Sequence, residues 1–295
     1  MVVTMKNILN YYYGMIVSKI DNNGYFSYDN HLFCLYKITR SIDEINSLVL
    51  LNNYMLNNNI KVNKIVFNNY HKPVTFFDKE YYVLILIEYE YHGGYFKFIP
   101  SPMDNQFNNL KRNDWATLWE LKVDYLEHHL LLNSNYPLLQ DSINYYIGLT
   151  ENAIEYFHML SIGEIPLFIS HRRIRKNLMY NPLEFIFDYK VRDISEYLKI
   201  VFFQKEKSIY DIKKIINNLD LNYIDYLLLY NRMLYPSFYF DLYDEIIQNN
   251  EKEEKILDIT NLSNEYEELL YEIYLLINRK KNILGIDWIN RKFNE

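Results

Sequence analysis

At 295 residues the chain is long enough for one large domain or two lobes, and its 49% hydrophobic and 23% charged residues are the balance of a protein with a core. A formal net charge of −7 and a pI near 5.6 argue against the basic field of a nucleic-acid binder, so no nucleic-acid partner is expected. The lone Cys34 excludes an intramolecular disulfide and a cysteine-based zinc site; inside FCLYKI it reads as a small buried hydrophobe.

The N-terminal MVVTMKNILNYYYGMIV lacks the basic start and small-residue cleavage site of a secretory signal, and no run reaches about 18 apolar residues without charge. A protein kept inside the cell, with no membrane partner, is the expectation. The 31 tyrosines lie in an Asn-, Ile- and Lys-rich background and read as the compositional habit of an AT-rich genome rather than as a stacking surface.

In chain order, residues 5–16 suit a short helix, and KIDNNGYFSYDNHLFCLYKITRS reads as a hairpin and a following strand, with the turn at Asp21–Gly24. Gly24 stands alone there, so no glycine-rich cradle for phosphates is legible. Lys37 ends FCLYKI, where a kinase's third-strand lysine reaches phosphates; the alternative is a strand-edge lysine. From Ser41 to Asn58, an S-x-x-E start (Ser41, Glu44) and apolar residues at Ile45, Leu48, Leu51 and Met55 predict an amphipathic helix. A glutamate to pair with Lys37 belongs further along that helix than Glu44, and nothing acidic follows until Asp78, so the ion pair that activates a kinase is missing. KVNKIVFN, PVTFFD and EYYVLILIEYEY predict three more strands, making an antiparallel sheet of about five, and HGGYF supplies the hinge.

From Asn113 the spacing becomes helical. Trp115, Leu118, Trp119, Tyr125 and Leu126 mark one helix, and DSINYYIGLTENAIEYFHML a second. His128 and His129 are adjacent and point about 100° apart, so they read as helix surface rather than a metal site. Beyond residue 203, SIYDIKKIINNL, LNYIDYLLLYNRMLYPSFYFDLYDEIIQ and NEYEELLYEIYLLINRKKNIL predict further helices, with Pro236 breaking the long middle run and NNEKEEK a solvated connection.

Between these groups, Ile169–Phe203 carries the most telling order of parts. An apolar strand enters His171 and the basic loop HRRIRK; a short strand, EFIFDY, carries Asp188; Arg192 and Asp193 open an amphipathic helix. This is the order of the catalytic half of a kinase-like phosphotransferase. The catalytic base belongs two residues after the histidine, where Arg173 stands, and arginine has no acceptor lone pair. The metal asparagine belongs five residues later, where Leu178 stands, with Asn177 one residue short. His171 is the only nearby replacement base, the alternative being a histidine packed under its loop. Asp193, with Glu196 three residues on, reads as the N-cap of a capping box and as a structural residue.

The blocks DWATLWELKVDYLE, YYIGLTENAIEYF, HRRI, FIFDYKVRDISEYLK and LLLYNRMLYPSFYFDLYDEII, spread over residues 110–250, resemble the spore coat YutH family, relatives of CotS-type coat proteins and of aminoglycoside and choline phosphotransferases. The resemblance implies an α+β, bilobal protein kinase-like fold: a small antiparallel-sheet N-lobe with one helix at 1–92, and a mainly helical C-lobe at 93–295. It implies a role in the spore coat of an endospore-forming Gram-positive bacterium, with deposition from the cytoplasm and other coat proteins as partners. His171 falls on the family's loop histidine, Asp188 on its metal-binding aspartate and Asp193 on the aspartate that starts the next helix; Arg173 and Leu178 depart from the phosphotransferase pattern.

Two functions follow. The first is a pseudokinase serving as a structural or assembly component, with no catalytic residue, no cofactor, and Lys37 and Asp188 as remnants of nucleotide and metal sites. Four parts of the machinery are absent, and phosphoryl transfer rests almost wholly on positioning and electrostatics. The second is an active phosphotransferase on a small molecule or protein, using ATP with Mg²⁺ held by Asp188. Nucleotide binding without transfer lies between them.

Overall fold

The computed structural model describes residues 2–91, 98–102, 105–132, 136–249 and 251–294. The chain divides into two compact units, Met1–Lys111 with Ile169–Phe187, and Arg112–Phe168 with Asp188–Glu295. These packing units differ in extent from the lobes expected at 1–92 and 93–295. Hydrogen bonds from Ser47 Oγ to Gln106 O (3.0 Å), Asn63 N to Tyr180 O (2.9 Å) and Arg40 Nη2 to Phe185 O (3.0 Å) hold the later segments to the first unit. The hinge expected at HGGYF lies outside the described residues.

The first unit begins with α1 (Val2–Tyr13), followed by the antiparallel strands β1 (Tyr25–Tyr28) and β2 (His31–Lys37). Their turn is Asp29–Asn30, both at positive φ (48° and 60°), as a two-residue hairpin requires. This corrects the turn expected at Asp21–Gly24. Two Asp/Asn signals compete here, and only the second lies between residues able to pair, Tyr25 with Cys34 and Tyr28 with His31. The first leads into β1: Asp21 Oδ1 accepts from the amides of Asn23 (2.9 Å) and Tyr25 (2.8 Å). Gly24 has φ +90°, and a Cβ there would lie 2.5 Å from Leu35 O.

Helix α2 (Ile42–Asn57) starts with the predicted capping box, Ser41 Oγ accepting from Glu44 N and Glu44 Oε2 from Ser41 N, both at 3.2 Å. It buries Ile45, Leu48, Leu51 and Met55. Strands β3 (Lys64–Val66), β4 (Thr75–Phe77) and β5 (Glu80–Ile87) complete a five-stranded sheet whose pairings are all antiparallel. β5 is its spine: β2 runs along one edge, and β3 and β4 share the other, so that Tyr82 faces both Lys37 and Thr75. The two-residue side-chain period gives two buried faces. Leu35, Tyr82 and Leu84 pack with Ile8 and Leu9 of α1, while Cys34, Val83 and Ile85 of the alternate face are wholly buried. Burial pushes the Cys34 thiol up to about 12, in keeping with an inert core residue. A second, three-stranded sheet joins β6 (Ile99–Pro100), β7 (Phe168–His171) and β8 (Phe185–Asp188). At two residues, β6 is too short to show a strand period.

The second unit is helical: α3 (Trp115–Leu132), α4 (Pro137–Met159), α5 (Arg192–Phe203), α6 (Ile209–Asn217), α7 (Tyr223–Leu234), α8 (Ser237–Asn249), α9 (Leu257–Thr260), α10 (Ser263–Lys281) and α11 (Asp287–Phe293). α7 is buried on nearly all sides and packs against α4, α5 and α10. Pro236 separates α7 from α8, as predicted. The expected solvated connection is in part anchored, because Glu253 Oε1 accepts from Leu139 N at the start of α4 (3.0 Å). Among the described residues no helix is long and apolar enough to cross a membrane.

Candidate functional site

The residues singled out from sequence fall in both units. In the first, Lys37 ends β2 with its side chain half exposed, and its ammonium meets Glu80 of β5 at 3.0 Å. Glu44 serves the α2 cap and lies 3.7 Å from Arg40. His171 ends β7 and is buried; Nε2–H donates to Met179 O (2.9 Å), and the ring meets Phe185 edge-on at 5.2 Å. Its loop is drawn tight by a 3₁₀ turn, Lys176–Leu178, in which Leu178 N donates to Arg175 O (2.9 Å). Arg172 N donates to Glu184 O at 2.7 Å, and Arg173 is half-buried.

In the second unit Asp188 is fully buried and has three donors. Its Oδ1 accepts from Trp115 Nε1 (2.8 Å) and Tyr189 N (2.7 Å), and its Oδ2 from Arg192 Nη1 (3.1 Å). Burial pushes the carboxyl up to about 6, with Arg192 and Arg232 opposing. Both lone pairs of Oδ1 are used, and the free one on Oδ2 lies beside a guanidinium. A magnesium ion, which needs near-ideal oxygen geometry, does not fit this carboxylate as it is held.

Deeper in α5 lies a charged cluster that was not legible in sequence. Lys199 is 1% exposed and donates to Glu196 Oε1 (2.9 Å), Ser237 Oγ (2.8 Å) and the carbonyls of Arg232 (3.1 Å) and Tyr235 (3.0 Å). Glu196 also accepts from Arg232 Nε (2.7 Å) and Ser237 Oγ (2.5 Å). The Arg232 guanidinium lies over the rings of Trp115 (5.2 Å), Trp119 (5.6 Å) and Tyr235 (5.1 Å), a cation–π site closed by the Trp119–Tyr235 stack at 4.5 Å. Burial opposes the Glu196 charge, but Lys199, Arg232 and Arg192 outweigh it and hold its pKa well below the usual range. Lys199 goes the other way, lowered by burial to about 8 although Glu196 favours its charge. One glutamate shared with Arg232 cannot compensate the lysine fully.

The N-cap expected at Asp193 is corrected. The cap position is Val191, without a side-chain cap, and Asp193 is buried in the first turn. Glu196 cannot reach back in a capping box because Lys199, Arg232 and Ser237 engage it. Asp193 is still placed where a carboxylate favours the helix dipole.

The profile of the family described as Spore coat putative kinase YutH matches residues 6–273. The endospore coat-associated protein YutH of Bacillus subtilis (strain 168) is 25% identical over 208 residues, 60% of this chain and 61% of that protein. Among solved structures, spectinomycin phosphotransferase in complex with ADP and spectinomycin superposes with a TM-score of 0.59 at 9% identity, over 92% of this chain and 97% of that one. An aminoglycoside phosphotransferase from Alicyclobacillus acidocaldarius gives 0.57 at 9% identity, over 89% and 93%. At such identity the likeness establishes the fold, which is the kinase-like one. By the span of its family match the chain belongs to the spore coat putative kinase YutH family.

Proposed function

We propose that this protein is a coat-associated pseudokinase, a kinase-like fold that serves as a structural or assembly component of the endospore coat and binds other coat proteins without transferring phosphate. The observation that carries this reading is the state of Asp188, whose carboxylate is held by Trp115, Tyr189 N and Arg192. An arginine supplies the positive charge that a metal supplies in a working phosphotransferase. Arg173 in place of the base and Leu178 in place of the metal asparagine point the same way. Because transfer depends on positioning, these losses together remove turnover rather than reduce it.

The test is the melting temperature of the purified chain with and without ATP and magnesium, beside a phosphate-release assay. A ligand that binds only the folded state must stabilise it. No shift and no release are expected. A saturable shift with release would replace this reading by an active phosphotransferase, and a shift alone by nucleotide binding without transfer. A fluorescent fusion followed through spore formation tests the coat assignment, with accumulation around the forming spore expected.

A further inference from the structure

In the second unit, α3 and α4 enclose a groove of about 630 Å³. Its floor is apolar, made by buried Val123, half-buried Ile154 and Met159, which is 51% exposed. Its rim is acidic: Glu120 and Asp124 stand one turn apart on α3, and Glu151 and Glu155 one turn apart on α4, all exposed. Like charges at this spacing repel. Among the described residues no lysine or arginine lines the groove, and His158, 3.1 Å from Glu120, is the one basic group there. An apolar floor within four carboxylates fits a segment with an aliphatic residue between cations.

The first unit presents such a segment. In the loop after β7, Ile174 lies between Arg172 and Arg173 on one side and Arg175 on the other, and Arg172 and Arg175 are exposed. Arg172 meets buried Glu184 at 3.6 Å and keeps 45% of its side chain in solvent, so a second carboxylate can approach the open side of its five-donor guanidinium. We propose that the α3/α4 groove of one copy receives the Arg172–Arg175 loop of a second copy, with Ile174 on the floor and the arginines on the rim. Arginine suits the task because its planar fork binds carboxylates in pairs.

Groove and loop are different surfaces, so the contact is heterologous and each copy keeps one of each to offer onward. A single loop in a groove buries far less than the roughly 1,600 Å² of a standard interface, so one contact is weak. With one groove and one loop per copy the contacts run head to tail, into a ring or an open filament rather than a discrete dimer. This inference does not depend on whether catalysis has been lost.

Sedimentation velocity of the full chain over a concentration series, at low and at high salt, tests it. Association at low salt that disappears at high salt is expected. It should be absent in Glu151→Lys/Glu155→Lys and in Arg172→Glu/Arg175→Glu, each checked for an unchanged melting curve. Mixing these two variants should restore pairing, because the unaltered loop of the first then meets the unaltered groove of the second. A wild-type chain that stays monomeric throughout would overturn the proposal. So would association that survives in either variant, or a mixture that stays monomeric. Should a double variant fail to fold, the single substitutions Glu155→Lys and Arg172→Glu carry the same comparison, with a severalfold weaker association expected for each.

Discussion

The Arg192 guanidinium stands 3.1 Å from the Asp188 carboxylate, four residues earlier in the chain, and Trp115 closes the other carboxylate oxygen at 2.8 Å. On the proposed reading Asp188 stands where the kinase pattern has a metal ligand. Its surroundings are those of a buried ion pair, with Arg232 adding a second positive field. From sequence alone Asp188 is a remnant whose replacement by Asn changes little. The buried pair instead makes it a titrating structural residue.

That difference has a pH signature. Burial first, against the pull of Arg192 and Arg232, raises the carboxyl from 3.8 to about 6 in the folded chain. A folded-state pKa above the unfolded value gives stability that is fully present below the unfolded pKa and lost as pH rises through the folded one. Wild type should therefore lose stability between pH about 4 and about 6 relative to Asp188→Asn, by an amount on the order of 3 kcal/mol. Urea midpoints of both proteins across this range measure it. A difference between them that does not vary with pH would contradict the assignment.

Lys199 should tolerate replacement poorly. Lys199→Met removes a buried cation from Glu196 and the donor to the carbonyls of Arg232 and Tyr235. Breaking a buried pair from one side costs about 3–5 kcal/mol. Denaturant unfolding at neutral pH reads this directly, and a loss below about 1 kcal/mol, typical of exposed pairs, would show that the cluster is solvated.

Gly24 is required both by its conformation and by the backbone that faces it. At φ +90° an L side chain is strained, and the added Cβ would stand 2.5 Å from Leu35 O, a backbone atom that cannot give way. Gly24→Ala should cost about 1–3 kcal/mol or more. Gly163→Ala is the control, because its Cβ would meet nothing within 4 Å, and it should shift stability by less than about 1 kcal/mol. Equal effects of the two substitutions would remove the argument.

Local signals were legible and distant ones were not. The α2 capping box is written within four residues, Ser41 to Glu44, and needs nothing else in the chain. The strands of the large sheet show in their β-branched and aromatic runs, and Pro236 marks its break unaided. The β1–β2 turn is ambiguous in sequence because DNNG and DN both carry turn chemistry, and the choice rests on cross-strand pairing. The Asp193 capping box failed for a non-local reason: the partners that occupy Glu196 include Arg232 and Ser237, 36 and 41 residues further on. Trp115 is separated from Asp188 by 73 residues and reads from sequence as one more apolar helix position. That Arg173 stands two residues after His171 is read directly from the sequence; that an arginine lies beside Asp188 is not, since Arg192 reads only as the first residue of a helix.

Repair of the catalytic loop should therefore fail unless Arg192 is changed as well. Arg173→Asp with Leu178→Asn puts a carboxylate and an amide where the proposed reading has base and metal ligand, yet leaves Asp188 paired to Arg192 with one oxygen already saturated. A divalent cation beside that guanidinium would meet like charge in a buried setting. The double variant should show no magnesium-dependent stabilisation by ATP. Adding Arg192→Ala frees Asp188 Oδ2 while Arg232 still supplies a positive field, so the fold should survive at a cost that a urea midpoint reports. The triple variant should then gain a magnesium-dependent rise in melting temperature; at a ligand concentration about 100 times Kd the stabilisation is about 2.7 kcal/mol. Turnover should stay absent even then, because the β1–β2 turn is Asp29–Asn30 and offers no glycine backbone to close over phosphates. The decisive comparison is the double variant against the triple. A shift already present in the double variant would mean that Arg192 does not block the site, and turnover by the triple would mean that the hairpin is dispensable.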